Sequence, residues 1–262
     1  MTAVLTPRTD PAPAQPSPVS TGALTLVELR KMVNTRSGAV LVALVFAIVL
    51  TTTVVRLFAG DAADRTLTGF LTYSVSPVSI VLPIIGVLSV TSEWSQRTAL
   101  ITFSLVPRRS RVVTAKLAAV LTVAVGTVVL SILLAAIGNG LAPAFVDADG
   151  SWSLSGTALL NITLYHVGSL FIGFAFGMIT MNSVLGILVH FGVPSAWSVL
   201  REYESGVDDA GKWLDTNTTM SPLGETVALT GQEWGKVLVS VALWGVLPSV
   251  LGYLRLRRTE VK

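Results

Sequence analysis

The sequence predicts an all-α polytopic membrane protein with six transmembrane helices. Three observations carry that prediction. The 262 residues are 52% apolar and 13% charged, about half the charge of a typical soluble domain, and the mean hydropathy is +0.71. Apolar runs recur at lengths near the roughly 20 residues that a helix needs to cross a hydrocarbon layer of about 30 Å. Lys and Arg segregate into alternate loops, as they do in membrane proteins of fixed orientation.

The six expected spans cover residues 38–58, 70–90, 112–137, 159–180, 184–200 and 237–254. The fifth is short and carries His190, Gly192 and Pro194. Long continuous runs point to helices, because open strands leave backbone groups unpaired in lipid and barrel strands read as short alternating segments. Four basic residues precede the first span (Arg8, Arg30, Lys31, Arg36) and five follow the second (Arg97, Arg108, Arg109, Arg111, Lys116). Four more close the chain (Arg255, Arg257, Arg258, Lys262), which makes thirteen of the eighteen Lys and Arg. An even number of spans with basic ends places both termini in the cytoplasm.

Three segments outside the spans have structure written into them. Residues 23–35 set Leu26, Leu29, Met32 and Val33 on one helical face, with Glu28, Lys31 and Asn34 elsewhere on the wheel; that pattern fits an interfacial helix. The loop 91–111 predicts a short cytoplasmic helix over 93–105, ended by Pro107, with Ser110 placed to cap the third span. The acidic external segment 201–235 contains Trp213, Leu214, Met220, Leu223 and Trp234, enough apolar surface to fold back onto the outer face. Residues 1–20 are rich in Pro, Ala, Thr and Ser, lack the charged start and apolar core of a cleaved signal, and read as a disordered cytoplasmic tail. The expected organisation is therefore tail 1–20, membrane domain 21–258 and C-terminal tail 259–262.

The absences narrow the chemistry. With no cysteine, disulfides and thiolate sites are excluded. The middles of the spans carry no Asp, Glu, Lys or Arg, which weighs against an ion-coupled carrier, a voltage sensor or a charged filter. His166 and His190 lie within spans; they form either a relay or metal pair, or neutral imidazoles bonded to a neighbouring helix. The second reading is favoured, because no carboxylate lies near them in sequence. Gly173 and Gly177 form a small-xxx-small pair, a helix-packing seam either within the chain or between two chains. No Gly-x-Ser-x-Gly turn or His-Glu-x-x-His helix occurs, and 231–237 misses the phosphate-loop spacing. The expectation is no catalytic residue, no metal, no cofactor on this chain and no nucleic-acid partner.

The loop is the most informative stretch. Glu93-Trp-Ser-Gln-Arg97-Thr98 is followed by Pro107-Arg-Arg-Ser-Arg111 and, one turn on, Lys116. One reading is a basic anchor for anionic headgroups; the other is a docking knob for a partner. With the preceding Val27-Glu-Leu-Arg-Lys-Met32 helix and the six-span topology, the chain resembles the permease subunits of type-2 ABC exporters (the ABC-2 family), in the form found in actinobacteria, over about residues 21–258. The resemblance implies a coupling helix that docks on a separate ABC ATPase subunit, with Glu93, Trp94, Arg97, Thr98 and Pro107 at or near the contact. Arg108, Arg109, Arg111 and Lys116 would flank it at the headgroups. It also implies a second permease chain, in a homo- or heterodimer, ATP and Mg on the partner subunit, re-entrant helices near 194–200 and 215–223, and residence in a bacterial inner membrane. The expected function is export of a hydrophobic or amphipathic substrate, with no enzymatic site on this chain. The alternative is a membrane scaffold or sensor that transports nothing.

Overall fold

The computed structural model describes residues 19–59, 61–146, 150–203 and 208–258. The tail assigned to 1–20 lies outside the described residues apart from Val19 and Ser20, as does the tail 259–262. The described chain is all helical: α1 (Thr21–Asn34), α2 (Arg36–Ala59), α3 (Leu67–Ser95), α4 (Ala99–Leu105), α5 (Arg109–Phe145), α6 (Gly156–Thr180), α7 (Ser183–Tyr203), α8 (Asp208–Leu214), α9 (Thr216–Met220), α10 (Gly231–Ser240) and α11 (Leu247–Arg258). A π-helical stretch, Val241–Val246, joins the last two into one rod.

Local chemistry sets the helix ends. The Ser20, Thr66 and Ser155 hydroxyls accept from the Ala23, Gly69 and Ala158 amides and satisfy first-turn donors. Thr230 and Glu233 close a reciprocal capping box at α10. α3 stops where Arg97 takes a left-handed φ of 57°, which no helix continues through. Consequently Glu93 and Trp94 belong to the last turn of α3, and the short loop helix begins only at Ala99 rather than at Glu93. Arg108, not Ser110, occupies the cap position of α5, and it makes no side-chain capping bond.

Five helices are long and apolar enough to cross a membrane: α2, α3, α5, α6 and the rod Gly231–Arg258. α7, where the fifth span was expected over 184–200, is a continuous helix, and its apolar stretch among the described side chains is Ser183–Trp197. Pro194 lies inside the helix without breaking it. Large apolar side chains such as Val40, Phe46, Val54 and Phe58 stand exposed along α2; a membrane supplies the apolar surroundings that such a face needs.

α3 and α6 form the central pair, flanked by α2, α5, α7 and the C-terminal rod. Phe70, Leu71, Val78 and Leu82 on α3 and Ile162, Leu170 and Phe174 on α6 are almost wholly buried. The two backbones meet through glycine. A Cβ on Gly173 would run into the Pro83 carbonyl and lie 2.6 Å from its Cα, and one on Gly177 would lie 2.8 Å from the Val87 carbonyl oxygen. From the other side, a Cβ on Gly86 would strike the Leu170 carbonyl and the Phe174 nitrogen. The Gly173 and Gly177 seam is thus a contact within the chain, between α6 and α3.

Cross-bundle bonds fix which helix ends lie together. Arg109 donates to the Leu256 carbonyl, Arg111 to the Val19 carbonyl, Arg255 to the Ile179 carbonyl, and the Thr91 and Ser183 hydroxyls share a bond. Both described chain ends, the last turn of α3 and the starts of α5 and α7 therefore gather at one end, called the termini end below. At the far end, Asn161 donates to the Glu225 and Val227 carbonyls. Met220 and Leu223 pack with Val237 against Leu164 and Tyr165, so the acidic segment does fold back on the bundle. Trp244 donates to the Leu214 carbonyl at 2.7 Å, tying α8 to the π-helical stretch.

Substituting Gly173→Val drives a branched side chain into the α3 backbone. The expected loss is about 1–3 kcal/mol or more, visible as a lower melting temperature in detergent. Gly126, with nothing within 4 Å of its Cβ position, is the control: Gly126→Ala should leave the melt unchanged or raise it.

Candidate functional site

At the termini end four charged side chains from three helices close into a ring. Lys31 on α1 bonds Glu28 Oε1 of its own helix at 2.8 Å and Glu93 Oε1 of α3 at 2.8 Å. Lys116 on α5 bonds Glu28 Oε2 at 2.8 Å and Glu93 Oε1 at 3.3 Å. It also donates to the Ser89 carbonyl at 3.0 Å. The fourth helix joins through Thr102 of α4, whose hydroxyl donates to Glu93 Oε1 at 3.0 Å. Two carboxylates face two ammonium groups, so the ring is neutral. Three of its side chains are 5–8% exposed, Lys116 least, and only Lys31 is partly open at 42%.

That exposure decides the energetics. An ion removed from water is costly, and a ring of opposite charges with extra hydrogen bonds recovers the cost through geometry. Removing one buried member leaves its partners uncompensated. For Lys31, burial alone would lower the pKa, but its hydrogen bonds to Glu28 and Glu93 outweigh that and hold it above the ordinary 10.5. A group with a raised pKa stabilises the fold fully below its unfolded value and loses that contribution as pH rises through the folded one. The Lys31 contribution is thus intact across neutral pH and fades only in the alkaline range above 10.5.

The ring holds α4 on one side, and an apolar seat holds it on the other. Phe103 packs among Val90, Trp94, Val113 and Met178, and the Arg109 guanidinium lies 5.2 Å from the centre of its ring. Leu100 and Arg97 face outward. α4 is therefore a short helix clamped across the ends of α3 and α5, with one face exposed.

The residues singled out in the loop have separate placements. Glu93 is buried within the ring and Trp94 packs inward, so neither presents itself at the surface. Arg97 is exposed at the break, Thr98 starts α4 and Pro107 separates α4 from α5. Arg108 is exposed, Arg109 is bound to α11, and Arg111 holds Val19. Lys116, grouped with the headgroup anchors, has its ammonium turned into the bundle. The sequence reading set Glu28 apart from the apolar face of its helix and overlooked Thr102; both are ring members. The available signal was Glu28 and Lys31 at i,i+3 together with a lysine two turns into an apolar span.

The two histidines lie in different surroundings. His166 Nδ1 bonds the Ile162 carbonyl of its own helix at 2.8 Å, not a neighbouring helix. The His190 ring meets Phe176 and Phe191 edge-on. Among the described residues no group of three or more His, Cys, Asp or Glu is placed to hold a metal ion. Comparison with protein-family models, curated proteins and solved structures finds no match to this chain.

Breaking the ring from its buried side should be the more damaging. Lys116→Met is expected to destabilise by about 3–5 kcal/mol, and Lys31→Met by roughly 1 kcal/mol, because its ammonium is half open to solvent. Thermal unfolding of the two variants in the same detergent gives the order. Equal melting temperatures would mean that burial does not set the strength of the ring.

Proposed function

We propose that this chain is the membrane subunit of an ABC exporter, six-spanning with both ends in the cytoplasm. It would pair with a second permease chain and be driven by separate ATPase subunits that bind ATP and Mg. The observation that carries the reading is α4, a short helix clamped by Thr102–Glu93 and Phe103 across the ends of two long helices. A push on its exposed face would pass through Glu93 into α3 and through Lys116 into α5. The glycine contact between α3 and α6 would carry the displacement on as movement of a packed pair. In this reading the coupling contact is made by Arg97 and Leu100 on the outside, and Glu93 transmits rather than docks.

The sixth span in this reading is α7. Its 21 residues are about 31 Å long at 1.5 Å per residue. The chain leaves the termini end at Ser183, beside Thr91, and arrives at the far end by Glu225, beside Asn161. An even number of passes fits that route, and the eleven described Lys and Arg of the basic segments, grouped with the termini end, give the orientation. The cargo would be hydrophobic or amphipathic, because the spans offer apolar and small polar side chains. The rival is a membrane scaffold or sensor with the same topology and no ATPase.

Two measurements test this. The chain has no cysteine, so single Ser104→Cys and Ala228→Cys variants report sidedness directly. Ala228→Cys should react with an impermeant maleimide in intact cells, and Ser104→Cys only after permeabilisation; the reverse pattern overturns the topology. Arg97→Glu with Leu100→Asp should remove a P-loop ATPase that co-purifies with the wild-type chain while leaving its elution profile unchanged. A wild-type chain purified from native membrane with no ATPase bound supports the scaffold instead.

A further inference from the structure

Beside the charge ring, α1 and α4 overhang a cleft of about 690 Å³, within the size range of a small-molecule site. Its walls are apolar, built from side chains such as Leu41, Val42, Ile85 and Leu88 on α2 and α3, and it runs up to the ring. The charged side chains lining it are Glu28, Lys31 and Glu93. Both carboxylates are buried and bonded to ammonium groups, whereas Lys31 is the half-open member. An ammonium has three donors; Glu28 and Glu93 take two of those on Lys31. Val19, on the rim, is held through its carbonyl by Arg111, which adds a second positive charge at the mouth. The cleft therefore has an apolar interior and, at its opening, the half-open Lys31 ammonium of an otherwise closed neutral ring with Arg111 close by.

We infer that this cleft holds one anionic phospholipid of the surrounding leaflet, with an acyl chain against α2 and α3 and its phosphate at Lys31. An apolar chain alone would be satisfied anywhere along the exposed face of α2. What selects this place is a cation at headgroup level that its own ion pairs do not fully occupy. The lipid would bridge α1 to α2 and α3 and so brace the ring from its open side. The inference rests on membrane embedding alone, so losing the ATPase partner in the test above would leave it standing.

The test uses the full chain in mild detergent, supplied with equal phosphatidylglycerol and phosphatidylcholine, with bound lipid counted by native mass spectrometry. One phosphatidylglycerol per chain should be retained in preference to phosphatidylcholine. Lys31→Gln should weaken that retention about 5-fold, the contribution of one basic group to an anionic lipid, and Lys31→Arg should restore it. Val42→Trp fills the cleft without touching the ring and should abolish retention of the lipid; it decides the matter if Lys31→Gln does not fold. Equal retention of both lipids overturns the inference, as does Val42→Trp leaving bound phosphatidylglycerol unchanged. Competition by inorganic phosphate alone would mean an anion site with no lipid. Loss of self-association in Val42→Trp with lipid counts unchanged would assign the cleft to a second copy of the chain.

Discussion

The termini end of this protein is organised by the need to neutralise buried charge. Glu93 sits in the last turn of a long apolar helix with almost no contact with water, where an isolated carboxylate is too costly to keep. Lys31 and Lys116 remove that cost, and doing so fixes α1 against α3 and α3 against α5. Glu28 then balances the second ammonium and closes the ring. Because Glu93 also receives the Thr102 hydroxyl, the short helix α4 cannot shift without disturbing bonds to three longer helices. The N-terminal helix α1 and the short helix α4 are thereby tied into one corner of the bundle.

The centre of the bundle obeys a different constraint. α3 and α6 have no charges to bring together, and in lipid no hydrophobic difference drives helix to helix. Their contact depends on small residues that let the backbones close in: Gly86 opposite Leu170 and Phe174, Gly173 opposite Pro83, Gly177 opposite Val87. Gly252 repeats the device, with a Cβ position 2.5 Å from the Met178 carbonyl carbon, and so brings α11 against the end of α6. Electrostatics at one end and close packing through the middle make a frame in which movement imposed on α4 has a short route to the bundle core. The far end is closed by hydrogen bonds to backbone carbonyls, from Asn161 and from Trp244 in the π-helical stretch, a helical irregularity of the kind often found at functional positions.

Much of the fold was legible because it follows from local pattern. Length of apolar run gave α2, α3, α5, α6 and the last rod, and the amphipathic face of 23–35 gave α1. The return of the acidic segment onto the bundle followed from its tryptophans and leucines. The loop helix was legible as an element, but its start was not, because the left-handed turn at Arg97 leaves no mark in periodicity. Glu93 was legible as important and misplaced in kind: its position beside Arg97 reads as surface, while the break in the backbone returns it to the span. The ring was hidden for a simpler reason. Its members are separated by 62 and 88 residues, and nothing in a single sequence states that Glu28 and Lys116 meet.

By itself, the sequence determined the apolar character of this protein, the approximate positions of the five helices long enough to cross a membrane, and the grouping of its basic residues. Those are sums over local composition, and hydrophobic transfer and charge placement act on each segment separately. The tertiary structure alone decided that Glu28, Lys31, Glu93 and Lys116 form one neutral ring, that Gly173 and Gly177 serve an internal contact, and that an apolar cleft with the half-open Lys31 at its mouth lies beside the ring. Those depend on which faces of distant helices come together, and burial changes the meaning of a charge only once its neighbours are in place.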